Sequence, residues 1–148
     1  MNKKILTIGL ILIVMLAAMP SGSAAASCSG SGCDNLDPVA QGCTSNAFQV
    51  GAYTYNYGIS GSVTGALWYS NNCNSNWAVA TSNSGTRYVR AEILVYKYHW
   101  NWAYSTSVNS TMADGSIWHC AVGFIDTTNR TPYYNTFSGH DSLAAACG

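Results

Sequence analysis

The sequence predicts an all-β protein: a small, disulfide-stapled antiparallel sandwich or barrel behind an N-terminal signal-peptide helix. Three observations predict it. Apolar and polar residues alternate in short runs, as in Tyr88 to Tyr98, where Val89, Ala91, Ile93 and Val95 take one face and Tyr88, Arg90, Glu92, Leu94 and Tyr96 the other. Turn residues (Gly58, Gly61, Asn71-Asn72, Asn83-Ser84-Gly85, Asp114-Gly115) separate these runs at the spacing of short strands. No segment beyond the N-terminus carries a 3.6-residue period, and six cysteines follow the single apolar segment of the chain.

That apolar segment comes first. Lys3 and Lys4 precede an apolar run from Ile5 to Met19, Pro20-Ser21-Gly22 breaks it, and Ala24-Ala25-Ala26 supplies small residues for cleavage. The run is about 15 residues, below the ~20 that cross a bilayer. It reads as a cleaved secretory signal peptide over residues 1–26, ahead of a single β domain over residues 27–148. The expected location is secreted, in the extracellular or cell-wall space, with no membrane span in the mature chain.

Residues 27–45 are rich in Cys, Gly, Ser and Asp and lack apolar periodicity, so they read as a stapled loop. Strand pattern begins at Phe48: Phe48, Val50 and Ala52 alternate with Gln49, Gly51 and Tyr53, and Tyr53, Tyr55 and Tyr57 share a parity. Val63 to Ser70 is a second strand and Trp77 to Thr81 opens a third. Tyr88 to Tyr98 is the fourth, half-buried, with Arg90 and Glu92 as neighbours on its outer face, an ordinary ion pair on a sheet worth under about 1 kcal/mol. The aromatic stretch His99 to Tyr104 continues or ends that strand. Ile117 to Ile125, Arg130 to Phe137 and Leu143 to Cys147 complete the set.

Composition narrows the partners. After residue 26 the charges are Arg87, Arg90, Lys97 and Arg130 against Asp34, Asp37, Glu92, Asp114, Asp126 and Asp141, a slight acidic excess with no basic patch. Nucleic acid is therefore excluded as a partner, and so is a cation-driven membrane surface. Polarity comes instead from Ser, Asn, Thr, Gly and Tyr, which hydrogen-bond without charge.

Cys28, Cys33, Cys43, Cys73, Cys120 and Cys147 permit 15 full pairings, among which sequence alone does not choose. The working expectation is Cys28–Cys33, Cys43–Cys73 and Cys120–Cys147. Paired C-x-x-C spacing with matching histidines, the usual signature of a zinc site, is absent.

Cys28-Ser29-Gly30-Ser31-Gly32-Cys33, Asp37-Pro38, Gly42-Cys43, Tyr69-Ser70 with Cys73, and Trp77-Ala78 form an ordered set. It resembles a bacterial family known as domain of unknown function 2690, whose pattern runs C-x4-C, DP, GC, YS-x-x-C and WA. Thr131-Pro132 and Ala146-Cys147-Gly148 resemble its C-terminal signature. The chain departs from the pattern at Gly65-Ala66-Leu67-Trp68, where the family carries Glu or Arg. The resemblance implies a secreted bacterial domain and carries no activity.

No catalytic constellation stands out, so the protein is not expected to be an enzyme, and no cofactor is implied. Neighbours on a strand point to opposite faces, which gives His119-Cys120 poor geometry for a thiol nucleophile. Glu92 is the only Glu, against the two carboxyl groups a glycosidase needs. Asp34 and Asp37 are the weak candidates for calcium in the stapled loop, each also placed for an Asx turn. Aromatic residues offer more: Trp100 and Trp102 share a strand parity, with His99 and Asn101 beside them as hydrogen-bonding neighbours. The expected function is a secreted, non-enzymatic binding module for a neutral glycan or an extracellular protein. A secreted antagonist of the bacteriocin kind is the alternative, and a secreted hydrolase the third reading.

Overall fold

The computed structural model describes residues 25–56, 58–94, 99–125 and 147. The alternating runs form eight strands: β1 (Ala47–Asn56), β2 (Ser62–Ser70), β3 (Ser75–Ser82), β4 (Arg87–Leu94), β5 (His99–Ser105), β6 (Ser107–Asn109), β7 (Ala113–Asp114) and β8 (Cys120–Ile125). Every pairing among them is antiparallel. One sheet runs β1-β2-β3-β6 with β7 also on β3, and the other runs β5-β4-β8. β2, β3 and β6 pack across β4, β5 and β8, so the architecture is an open sandwich and not a barrel. Among the described residues the only helical pieces are 3-10 turns at Gly30–Cys33 and Gly58–Ser60, and no helix is long and apolar enough to cross a membrane. The expected signal-peptide helix and the strand expected over residues 130–137 lie outside the described residues. Of the strand expected over residues 143–147, only Cys147 is described, bridging antiparallel to Cys120.

The turns fall where the punctuating residues stand. Gly61 has φ 106°, and a Cβ there would lie 2.2 Å from Ser84 Oγ, so only glycine fits between β1 and β2. The sandwich interior is built from Val63, Gly65 and Leu67 of β2, Ala78 and Ala80 of β3, Val89, Ala91 and Ile93 of β4, and Ala121, Gly123 and Ile125 of β8. Small residues meet at its centre. A Cβ on Gly65 would stand 2.8 Å from the Gly123 backbone nitrogen, and one on Gly123 would stand 3.1 Å from both Ala80 Cβ and Gly65 Cα. The two sheets therefore touch backbone to backbone there.

Sequence periodicity fails at one place in β1. A bulge between Gln49 and Gly51 leaves Val50 over and shifts the register, so Phe48 opposes Tyr69 while Gly51 opposes Leu67. Phe48 thus shares a face with Gly51 and Tyr53 rather than with Val50 and Ala52. Two further differences concern strand ends. The last long run starts at Cys120, leaving Ile117 and Trp118 exposed ahead of it, and β6 and β7 exist only through pairing with β3.

The Cys-rich segment packs against β3 and β7. By parity Ser75 and Trp77 face away from the second sheet, yet both are buried, and Trp77 joins one core cluster with Cys33, Cys43, Cys73 and Met112. Three disulfides close the structure, Cys28–Cys33, Cys43–Cys73 and Cys120–Cys147, which is the expected pairing. The first two lie side by side, with Cys28 Sγ 3.8 Å from Cys43 Sγ.

Candidate functional site

The outer face of the three-stranded sheet carries the aromatic surface. Direct cross-strand neighbours share a face. On that rule Tyr88 stands beside Tyr104, Arg90 beside Trp102 and Phe124, and Glu92 beside Trp100 and Val122. Tyr88 lies 4.9 Å from Tyr104 and 5.9 Å from Trp102 between ring centres, both tilted by 51°. These are within the range of favourable ring contacts, each worth about 0.5–1.5 kcal/mol. Trp100 is 43 % exposed and Tyr104 55 %, so rings held by the sheet still offer faces and edges to solvent.

Among the described residues, one ion pair underlies this surface. Arg90 Nη2 donates to Glu92 Oε2 at 2.5 Å, and the guanidinium carbon sits 5.2 Å from the Trp100 ring centre and 5.6 Å from that of Phe124. The pair is not the exposed one expected from sequence. The Glu92 side chain is only 7 % exposed and that of Arg90 24 %. Pairing lets two charged groups occupy an aromatic face without leaving net charge on it. Burial weakens the net gain of such a pair but raises the cost of removing either half. Arg90 also gains cation–π attraction from the rings on either side.

Trp100 and Trp102 are together as the sequence predicts, while His99 and Asn101 are not with them. Parity turns both to the other side of β5. His99 is buried there, its Nδ1 3.5 Å from Thr111 Oγ1, and Asn101 Oδ1 accepts the backbone N–H of Trp102 at 2.9 Å. The residues that join the two tryptophans are Tyr88, Arg90, Tyr104 and Phe124. Their shared parity is visible in the sequence, but the pairing of β8 on β4 that brings in Phe124 is not.

The remaining candidates are engaged by their own surroundings. Asp37 Oδ1 accepts the N–H groups of Val39 and Ala40 at 2.9 and 2.8 Å, an Asx turn leading into Pro38. Asp34 Oδ1 accepts the Asp114 N–H at 3.0 Å, and Asp114 Oδ1 accepts that of Ser116 at 3.0 Å. Cys120 is bonded to Cys147 and offers no thiol to His119. The fully buried His119 directs Nε2 at the Asp114 carbonyl oxygen, 2.5 Å away, where the ring nitrogen must be the donor. Comparison of the chain with protein-family models, with curated proteins and with solved structures finds no match in any of the three.

Proposed function

We propose that the protein is a secreted, non-enzymatic binding module whose outer aromatic face takes a neutral ligand, either a glycan or an extracellular protein surface. One observation carries the reading. Trp100, Trp102, Tyr88 and Tyr104 share one face of the three-stranded sheet, and the charges on it among the described residues, Arg90 and Glu92, pair with each other at 2.5 Å. A flat, uncharged aromatic surface gains most from apolar ring faces, which sugars and aromatic-rich protein patches both present. Export is supported by the basic, apolar and small-residue order of residues 1–26 and is compatible with the three disulfides. The resemblance of the Cys28 to Ala78 motifs to domain of unknown function 2690 supports a bacterial source for such an exported domain.

The test is retention of the protein on purified bacterial cell wall, with free glycan fragments as competitor. Retention that the fragments compete away, and that Trp100→Ala with Trp102→Ala lowers at least about tenfold, or 1.4 kcal/mol, supports a glycan ligand. Retention that survives the double substitution removes this face from the function. Absence of retention by the unaltered protein strikes out the wall and leaves the protein partner.

A further inference from the structure

Four cysteines from three separate stretches of sequence converge under the loop end of the sandwich. The Sγ atoms of Cys28, Cys33, Cys43 and Cys73 all lie within 4.8 Å of one another, and those of Cys33, Cys43 and Cys73 belong to fully buried residues. In the oxidised chain they make two adjacent disulfides. Two disulfides need not pack sulfur against sulfur. Here Cys28 Sγ of one lies 3.8 Å from Cys43 Sγ of the other.

We propose that the reduced form of this cluster is a tetrahedral tetrathiolate site for a soft divalent cation, zinc above all. Thiolate–zinc bonds of about 2.3 Å place the four sulfurs of such a site roughly 3.8 Å apart. The contact between the two disulfides already has that length. The two bonded pairs must open, each by a side-chain movement of about an ångström per sulfur, and the remaining separations, all within 4.8 Å, must close by at most about an ångström.

The frame that presents the cysteines does not depend on the disulfides. Gly30 N–H donates to the Cys73 carbonyl at 2.7 Å, tying the first pair of cysteines to the turn that carries the fourth. Asn35 N–H donates to the Met112 carbonyl and Met112 N–H to that of Leu36, at 3.0 and 2.9 Å, anchoring the same loop to the chain ahead of β7. Asn72 Nδ2 donates to the Ser45 carbonyl at 3.2 Å, beside Cys43 and Cys73. The thiols of a reduced chain are thus held together by bonds that reduction leaves intact. Spacing rules miss the site because Cys43 and Cys73, 30 residues apart in sequence, are brought together only by the β1–β2 hairpin whose open end they flank.

The chemistry balances with a phosphine as reductant. Each disulfide accepts two electrons from phosphorus and two protons from one water, whose oxygen leaves on the phosphine oxide. Zinc then displaces four protons to solvent, one from each thiol, giving a centre of net charge −2. No Lys or Arg occurs between Ser27 and Thr86 to offset that charge. The partly exposed Cys28 is the side from which water solvates it and the cation enters.

The experiment reduces the purified protein anaerobically with a phosphine and titrates it with cobalt(II), then zinc(II). Alkylation of the remaining thiols and native mass spectrometry follow. The expected result is a single cobalt ion per chain with tetrahedral, thiolate-to-metal absorption, lost again as zinc replaces it. Zinc then shields Cys28, Cys33, Cys43 and Cys73 from alkylation and leaves Cys120 and Cys147 reactive. Cys28→Ser with Cys33→Ser, which keeps the Cys43–Cys73 staple in the oxidised chain, abolishes uptake after reduction. Octahedral cobalt, protection of Cys120 and Cys147 to the same degree, or undiminished uptake by the double variant overturns the proposal. Should the metal-free reduced chain lose its near-ultraviolet dichroism, zinc restores it, and failure to restore it also overturns the proposal.

Discussion

Two aromatic rows look alike in the sequence and come out differently in the structure. Tyr53 and Tyr55 of β1 share a parity, as do Trp100, Trp102 and Tyr104 of β5. β1 is paired only with β2 among the described strands, and its tyrosines oppose Gly65 and Val63, so the row lies on the core side of its sheet. β1 nevertheless makes no substantial contact with the second sheet, which leaves Tyr53 half exposed and only Tyr55 packed on the core. The β5 row points outward but is braced across three strands by Tyr88, Arg90 and Phe124. The difference teaches that parity assigns a face, whereas cross-strand neighbours decide whether an aromatic row is a supported surface or an overhang.

Removing the brace gives the largest expected effect. Arg90→Leu leaves the buried Glu92 carboxylate without its 2.5 Å partner and costs about 4 kcal/mol, read as a lower midpoint in urea unfolding. Glu92→Gln is milder, about 2 kcal/mol, because Arg90 is the more exposed partner and keeps its two ring neighbours. Losses below about 1 kcal/mol in both variants would mean that the ion pair is an exposed one and not the support of the face. Gly65→Ala sets a methyl against the Gly123 backbone and costs about 2 kcal/mol in the same titration. The smallest effects separate the rows directly. Tyr104→Ala loses its contact with Tyr88 and costs about 1 kcal/mol. Tyr53→Ala stays within about 0.5 kcal/mol and leaves any wall retention unchanged. A Tyr53 loss matching that of Tyr104 would erase the contrast between the rows.

Much of this was legible in advance, for local reasons. The alternation in β2 and β4 reports burial on one face, and turn residues mark the breaks, so strand identities and the all-β class followed from neighbours in sequence. The pairing Cys43–Cys73 accords with two cysteines at the open end of one hairpin. What stayed hidden depends on contacts between distant segments. Val50 becomes a bulge only because β2 sets the register. β6 and β7 are three and two residues long and are strands by virtue of β3. Glu92 reads as a surface charge until Trp100 and Val122 close on it from both sides. His99 stood beside two tryptophans in sequence, but strand geometry turns it away from them.

The meeting of Gly65 with Gly123 has a consequence for how such a molecule can change over evolution. With backbone against backbone, the sandwich has no spare volume around Gly65 and Gly123 from which substitutions might hollow a pocket. Enlarging a side chain on one sheet there requires a compensating loss on the other, so the inner surfaces are bound to vary together or not at all. Solvent-facing residues outside the Arg90–Glu92 pair carry no such obligation. New specificities in this architecture are therefore gained by repainting its exterior, one solvent-facing residue at a time, over an interior that stays as it is.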